Sequence, residues 1–290
     1  MDGIVDLITD FIKDMLKGWI TSNLTNMFTD VNDKVAIVAT EVGRTPSTWN
    51  SSIFTMIHNL SDTVMVPIAG MIISAILCYE LISMIMDKNN MHDFDTSLFI
   101  RYLGKACIAV MLLSKTFDIT MAIFDVGNHV VTSAAGVINT IAAIDVESVL
   151  ITLFNNSISS MTIGELLGLS LETMIISLCL KIMSVVITVV LYGRMIEIYL
   201  YISVAPIPFA TLGNREWGNM GTNYIKALTA LAFQGFFIMV CVGIYAALVS
   251  SITVAGNIHA ALWSVAAYTV ILCFSLLKTS SISKSILHAH

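Results

Sequence analysis

The sequence predicts an all-α polytopic membrane protein with about five transmembrane helices, additional amphipathic helices and one broken helix near Pro206 and Pro208. The chain has 290 residues, of which 57% are hydrophobic and only 12% charged. Its mean hydropathy is +0.86. A soluble domain is roughly 45–50% apolar and about 25% charged. Several apolar stretches also reach the length of about 20 residues that a membrane helix needs. The excess apolar surface therefore has to be covered by lipid.

The first segment, MDGIVDLITDFIKDMLKGWI, is predicted to form an amphipathic helix. Its charged residues recur at helical spacing and apolar residues fill the other face; the charged set is Asp6, Asp10, Lys13, Asp14 and Lys17. Such a helix can lie in the membrane interface or pack on a partner subunit. It lacks the basic leader and uninterrupted apolar core of a signal peptide. Residues 21–62 are mixed and polar, with GRTPSTWNSS as the clearest loop.

Five stretches are predicted to span the membrane. The first covers about 64–86, and the second, about 106–124, follows the polar connector 87–105. The third lies within the apolar run 169–212, and the last two cover about 227–249 and 260–277. Residues 128–168 are too interrupted for a span and predict amphipathic helices outside the membrane. The regions are therefore 1–62 (N-terminal), 63–127 (two spans), 128–168 (central) and 169–290 (three spans, the broken segment and a short tail).

The distribution of basic residues predicts the orientation, because Lys and Arg near span ends are retained in the cytoplasm. Lys88, Arg101 and Lys105 cluster in the first connector, whereas no Lys or Arg lies between Lys115 and Lys181. The connector is therefore expected in the cytoplasm, and both the central region and the N-terminal region on the outside. The run 169–212 is long enough to cross twice. One crossing is preferred because it keeps the later basic residues and the C-terminus in the cytoplasm.

The segment YGRMIEIYLYISVAPIPFATLGNREWG, residues 192–218, carries features that a plain anchor does not need. Arg194 and Glu197 are three residues apart and can neutralise each other on one helical face. Pro206 and Pro208 lack amide donors, and the residue between them is pushed toward extended geometry, so the helix should break near Ala205. Broken backbone at membrane depth survives only when it is buried in protein or lines a cavity. The segment is either a kinked helix whose ion pair offsets its own burial or an element of a transport path.

Trp217 follows the break at the expected membrane interface, where tryptophan serves as an anchor. Further ionisable residues fall within the predicted spans, and such residues are candidates for function. The candidates for an intramembrane polar or channel role are Glu80, Lys115, Asp118, Lys181, Arg194 and Glu197. In an ion-coupled transporter the first four would form the relay. The alternatives are a packing or pore-lining pair of Lys115 with Asp118, or a span boundary that lies elsewhere.

Small residues at every fourth position predict close helix packing, within one chain or between copies. They are Gly70, Ser74, Gly243, Ala247 and Ser251.

The composition and motifs exclude several function classes. The net charge of −6 argues against a nucleic-acid-binding surface over the whole protein. The five cysteines lie in apolar runs without a CxxC pair, and the six histidines are scattered. No phosphate-binding glycine loop, HExxH or catalytic triad context is present. We therefore expect no enzymatic activity, no metal and no cofactor.

The stretch APIPFATLGNREWGNMGTNYIKALTALAFQGFF resembles the signature region of TrbL-like polytopic inner-membrane subunits of type IV secretion and conjugation machines. The resembling parts are Ala205 to Ala210, Asn214 to Trp217 and Asn223 to Gln234. The resemblance implies a bacterial conjugation-channel subunit on a mobile genetic element, which helps single-stranded DNA and its attached relaxase to pass the inner membrane. It also implies a bitopic assembly subunit, cytoplasmic ATPases and further copies of the chain as partners.

Two other classes stay open from the sequence. An ion-coupled secondary transporter of a small solute predicts inverted repeats with paired broken helices, and only one broken segment is found. A membrane scaffold without a passage would not need Lys181, Arg194 and Glu197 at depth.

Overall fold

The structure, a computed structural model, describes residues 2–86, 96–142, 158, 160–214, 216–252 and 257–289. These residues form ten α-helices and one π-helical segment, Ser61–Met65, without a strand among them. The helices are α1 Asp2–Val42, α2 Pro46–Trp49, α3 Ser51–Leu60, α4 Val66–Met86, α5 Thr96–Ser114, α6 Thr116–Ala142, α7 Ile163–Val204, α8 Pro206–Thr211, α9 Gly218–Ser250 and α10 Ile258–Ile286. The connector 87–95 and most of 143–159, for which polar loop and amphipathic helices were predicted, lie outside the described residues.

Among the described residues, five helical stretches are long and apolar enough to cross a membrane, which confirms the predicted all-α membrane class with about five spans. They are Ser51–Met86, Thr116–Ile138, Ile163–Val204, Gly218–Ser250 and Ile258–Ile286. Half of the most apolar window of α9 is buried in protein, against 17% for the first two stretches. The outer faces of the first two therefore need lipid or another chain to cover them.

The second stretch differs from the predicted span 106–124. A turn at Lys115 separates α5 from α6, so the stretch begins at Thr116 and continues through residues that were assigned to the exported central region. The break is local, because the Lys115 amide still donates to the Met111 carbonyl at 3.1 Å and the Ile119 amide to the Lys115 carbonyl at 3.0 Å. Hydropathy alone could not place it.

The third stretch is one uninterrupted helix of 42 residues. At 1.5 Å per residue it is about 63 Å long, roughly twice the hydrocarbon core. The helix is not interrupted by a turn between Ile163 and Val204, which is consistent with the predicted single crossing.

Helix α1 is longer than the sequence pattern suggested. It continues through residues 21–42, which belong to the stretch described from the sequence as mixed and polar, and ends just before the predicted loop. Leu24, Met27, Val38 and Val42 are all at most 2% exposed and continue its buried face. The apolar period carries the helix across intervening polar residues.

The first spanning stretch contains a π-helical segment directly before Pro67. Proline cannot donate a backbone hydrogen bond, and its ring crowds the carbonyl four residues earlier. A wider π-turn leaves space for that carbonyl, so α3, the π-helical segment and α4 form one continuous helical stretch. At the other end Asn50 caps α3, since its side chain accepts from the amides of Ser52 and Ile53 at 3.1 and 3.0 Å.

The chain divides into two compact units, whose boundaries fall inside α6, α7, α9 and α10. The first unit contains residues 1–43, 131–191 and 236–279. Its core is a continuous cluster of buried aliphatic side chains from α1, α7, α9 and α10. In it the Tyr245 hydroxyl lies 3.0 Å from that of Thr269, and Gly243 packs so closely that an added Cβ would lie 3.1 Å from Ile138.

The second unit contains residues 44–130, 192–235 and 280–290. Within it α4 and α5 form an antiparallel pair: the Tyr102 hydroxyl donates to the Leu77 carbonyl at 3.0 Å. Nearer the other end Ile73 clusters with Ala109 and Leu113. Helix α8 packs on the same pair.

Helix α6 packs on α9 at a contact that admits only glycine. A Cβ added at Gly127 would lie 2.9 Å from both the Cβ and the carbonyl oxygen of Ala232. The obstacle is backbone and cannot rotate away. This contact fixes which face of α6 turns inward.

We expect Gly127→Ala to lower the free energy of unfolding by about 1–3 kcal/mol through overpacking. The matched control is Gly136→Ala on the same helix, where no atom lies within 4 Å of the added Cβ. There alanine should be neutral or raise stability by up to about 1 kcal/mol through helix propensity. Unfolding of the detergent-solubilised protein followed by circular dichroism measures both, and equal effects of the two substitutions would refute the contact.

Candidate functional site: the polar face of α6 and the broken helix

A stripe of exposed polar side chains begins at the turn before α6 and follows the helix. It consists of Lys115, Asp118, Asp125 and His129, all exposed, and we call it the polar stripe. Steps of three, seven and four residues return to the same side of a helix with 3.6 residues per turn. Lys115 Nζ donates to Asp118 Oδ2 at 3.1 Å, and these side chains are 62% and 69% exposed. Three of the four residues fall within the candidate span Thr116–Ile138.

The polar stripe lies opposite the buried face of α6. Thr116, Thr120 and Phe124 are each at most 4% exposed, and Gly127 continues the same face. At about 100° per residue, these positions are centred about half a turn from the stripe. The outward side of this helix therefore carries the four polar side chains of the stripe, beside the exposed Val126 and Val137.

Helix α7 shows the opposite arrangement. Its outermost face is a run of exposed aliphatic side chains, each 51–64% exposed; they are Leu171, Ile175, Leu178, Ile182, Val185 and Val189. That face suits lipid. The contrast shows that the polar stripe is not a general property of the outer surface.

Half of the polar stripe was predicted from the sequence. Lys115 and Asp118 were candidates from their position in a predicted span. Asp125 and His129 were missed because that span was expected to end at residue 124. The pattern that could have found them is the recurrence at positions 115, 118, 125 and 129.

Arg194 and Glu197 have different partners from those predicted, and the ion pair expected between them is wrong. Arg194 is only 7% exposed, and its Nη2 donates to the Leu231 carbonyl of α9 at 3.5 Å. Glu197 accepts from Lys284 of α10 at 2.9 Å instead. Three residues turn a helix by about 300°, so the two side chains diverge enough for Arg194 to enter the interior while Glu197 stays at its edge.

The helix break lies where the prolines predict it, but its geometry differs. Helix α7 ends at Val204 and α8 begins at Pro206. Between them Ala205 keeps helical dihedral angles, but its amide donates to the Ile202 carbonyl, three residues back, at 3.3 Å. The expectation of an extended residue between the prolines is wrong, since Ile207 lies inside α8. Pro206 and Pro208 occupy the first turn of α8, where amide groups have no partner within the helix and their absence costs little.

Aromatic and small residues hold the broken segment in place. The Tyr224 hydroxyl donates to the Tyr201 carbonyl at 2.7 Å, and the Tyr224 ring lies edge-on to Phe209 with centroids 6.0 Å apart. A Cβ at Gly221 would lie only 2.6 Å from the Pro208 carbonyl oxygen. This glycine therefore lets the start of α9 touch α8. The break is buried in protein, as broken backbone at membrane depth must be.

Glu80 belongs to a small polar network. Its Oε1 accepts from Lys105 at 2.7 Å and from the Asn214 side-chain amide at 3.1 Å. Asn214 in turn accepts from the amides of Glu216 and Trp217 at 2.8 and 2.9 Å. Glu80 therefore links α4, α5 and the loop after the break, and this loop presents Trp217 with 55% exposure.

The remaining candidates are dispersed. Lys181 is exposed beside the aliphatic face of α7. Gly70 has open space where a Cβ would stand, and Ser74 donates to its carbonyl at 2.8 Å. Ala247 and Ser251 are exposed, so of the small-residue positions Gly243 makes the close contact. Within the described part of the chain, no group of three His, Cys, Asp or Glu side chains is arranged to hold a metal ion.

Comparison with protein families decides the class of this membrane protein. Residues 31–206, more than half of the chain, match the model of the TrbL/VirB6 plasmid conjugal transfer like protein. The chain belongs to this TrbL/VirB6 family. It is thus a multi-pass inner-membrane component of a conjugal transfer or type IV secretion machine that works in a complex with other subunits.

The match also qualifies the resemblance found in the sequence. The family is confirmed, but the matched region ends at Pro206 and so includes only the first two residues of the stretch that suggested it. It includes the polar stripe and the buried Arg194. Comparisons with curated proteins and with solved structures find no match.

We expect a charge swap to show that Lys284, and not Arg194, is the partner of Glu197. Glu197→Lys and Lys284→Glu should each destabilise the protein, because each places like charges about 3 Å apart. The double variant should recover most of the loss, with a coupling of about 1 kcal/mol for a pair that is one-third exposed. Thermal unfolding in detergent measures the cycle, and additive losses would show that the two side chains do not interact.

Proposed function

We propose that this protein is a channel subunit of a conjugation machine. In this proposal it helps to form the inner-membrane passage for single-stranded DNA and its attached relaxase. The observation that carries the proposal is the polar stripe on the outermost face of a candidate membrane span. Membership of a conjugal transfer family supplies the biological setting.

Charged side chains are energetically unfavourable in lipid. A charged side chain at the centre of a membrane helix costs about 2.5–3.5 kcal/mol on insertion scales, and such residues face a bundle interior or a water-filled cavity. The Lys115–Asp118 pair is neutral overall yet more than half exposed. Asp125 and His129 are exposed without such a neighbour among the contacts of the described residues. If these four side chains face a water-filled passage, they keep their hydration and the unfavourable transfer into lipid does not arise.

A stripe on the surface of one chain cannot enclose a passage alone. Several copies arranged around an axis, each presenting α6 inward, would enclose one, so we propose a homo-oligomer.

A bitopic assembly subunit and cytoplasmic ATPases would work beside it, because the sequence carries no nucleotide-binding motif of its own. We keep the predicted orientation, with the N-terminus outside and the C-terminus in the cytoplasm, and the exported central region as the contact for other subunits.

The broken segment is the proposed mechanical element. The break at Ala205 packs on α9 through Gly221 and Tyr224. A short helix beside a long one can tilt while its neighbours keep their places. The second candidate, an ion-coupled transporter, would need a matching break in another half, and family membership favours conjugation instead.

An in-frame deletion in a donor strain tests the proposed role. DNA transfer should be lost with growth unchanged, and the wild-type gene should restore it. Complementation with the Pro206→Ala, Pro208→Ala double variant should restore transfer only in part, because alanine lets α7 and α8 fuse into one helix. Transfer that is unaffected by the deletion would refute the channel role. Full rescue by the double variant, at equal protein level, would remove the break from the mechanism.

Thiol labelling tests the polar stripe directly. In a variant without the five native cysteines, Asp125→Cys should react with a charged, membrane-impermeant thiol reagent in intact vesicles. Val189→Cys is the matched control, since it is 64% exposed but lies on the aliphatic face of α7. We expect labelling at least about tenfold faster at position 125, because only thiolate in contact with water reacts readily. Equal rates would show that the stripe does not face an aqueous passage.

A further inference from the structure

A cleft between α5 and the loop after α8 combines two cations with an apolar wall. It has a volume of about 500 Å³ and is lined by Arg101, Gly104, Lys105, Ile108, Ala109, Leu112, Leu212 and Gly213. Every lining residue lies in the second compact unit. Neither the family match nor the polar stripe assigns it a role.

The wall of the cleft is one face of α5. Arg101, Lys105, Ile108 and Leu112 follow each other at intervals of four, three and four residues, which keeps them on one side of the helix. The face is cationic at its first turn and aliphatic along the rest. The floor is formed by Leu212 and Gly213, where a Cβ on the glycine would lie 3.7 Å from the Cβ of Ala109.

The length of this face fits one leaflet of a bilayer. Arg101 and Leu112 are eleven residues apart, which corresponds to about 16 Å along a helix. Half of a hydrocarbon core of about 30 Å is about 15 Å. An acyl chain that follows this face would therefore be in contact with protein along most of its length.

The two cations are not equally available. Lys105 is neutralised by Glu80 at 2.7 Å and is 43% exposed. Arg101 is exposed, and the contacts among the described residues give it no carboxylate. Among the described residues the cleft therefore keeps a net positive charge, carried by the residue whose planar guanidinium binds phosphate with two parallel hydrogen bonds.

We propose that this cleft binds an anionic phospholipid. Arg101, supported by Lys105, holds the phosphate, and one acyl chain lies along Ile108, Leu112 and Leu212. A free phosphate would use only the cationic end and leave the wall uncovered. A DNA strand would need polar or aromatic partners for its bases, and the wall offers aliphatic side chains instead. Basic pockets between membrane helices on the cytoplasmic side are known to take acidic headgroups.

The test uses the full-length protein in neutral detergent and measures binding by native mass spectrometry. The probes are phosphatidylglycerol, phosphatidylcholine with the same chains, inorganic phosphate and a single-stranded oligonucleotide. We expect phosphatidylglycerol alone to bind well. Arg101→Gln should weaken it about fivefold, the effect of one basic residue near an anionic surface, and Arg101→Lys should keep part of the affinity. Lys278→Gln, an exposed cation outside the cleft, should change nothing.

A second variant separates binding from folding. Gly104 lies in the cleft wall, and an added Cβ there meets no atom within 4 Å. Gly104→Leu should therefore fold normally, as its circular dichroism and elution volume will show, while its side chain fills the cleft and lowers lipid occupancy. Gly104→Ala is the control, because one methyl group leaves most of the volume free.

Three outcomes would overturn the proposal. If phosphatidylcholine binds as tightly as phosphatidylglycerol, Arg101 and Lys105 do not select for an anionic headgroup. Inorganic phosphate that competes at equal concentration would indicate an anion site without a lipid chain. Oligonucleotide binding that depends on Arg101 and survives Gly104→Leu would place the cleft on the path of nucleic acid.

Discussion

A polar side chain at membrane depth is tolerated only where it contacts protein or water, and this constraint determines where the polar groups of the spans lie. Arg194 satisfies it by entering the interior beside the Leu231 carbonyl, and Glu197 by pairing with Lys284. The broken backbone at Ala205 satisfies it by burial under α9. Two places in the described chain depart from this rule: Lys181, which is exposed beside the aliphatic face of α7, and the polar stripe, which lies opposite the buried face of α6. The polar stripe is the larger departure, since it places four polar side chains on one face.

The packing of α6 explains how the larger departure is maintained. Gly127 is held against the Ala232 backbone, and Thr116, Thr120 and Phe124 fill the interior on the same side. Rotating the helix to bury its carboxylates would drive the backbone contact apart and expose this face. The contacts on the buried side of α6 therefore determine which residues lie on its exposed side. A structural contact far from any DNA determines what the proposed passage presents.

The sequence predicts the features that depend on local rules. Composition identifies the membrane class, run lengths give five spans, and Pro206 with Pro208 locates the break within one residue. It fails where tertiary packing decides. The spacing of Arg194 and Glu197 correctly puts both in one turn but cannot show that α10 brings Lys284 to the second. A hydropathy profile does not reveal the turn at Lys115, because apolar residues continue on both sides of it. The predicted span therefore ended at residue 124 and did not include Asp125 and His129.

The charge of the polar stripe is consistent with a passage that conducts DNA and does not retain it. The stripe contains two aspartates and one lysine. Tight binding of a nucleic acid requires several Lys or Arg side chains to replace its counterions. Conduction instead requires contacts that are weak enough to release the cargo. A stripe that is hydrophilic but slightly acidic keeps water in the passage and repels phosphate from the wall, so force applied by other subunits could move the strand without first breaking ionic contacts.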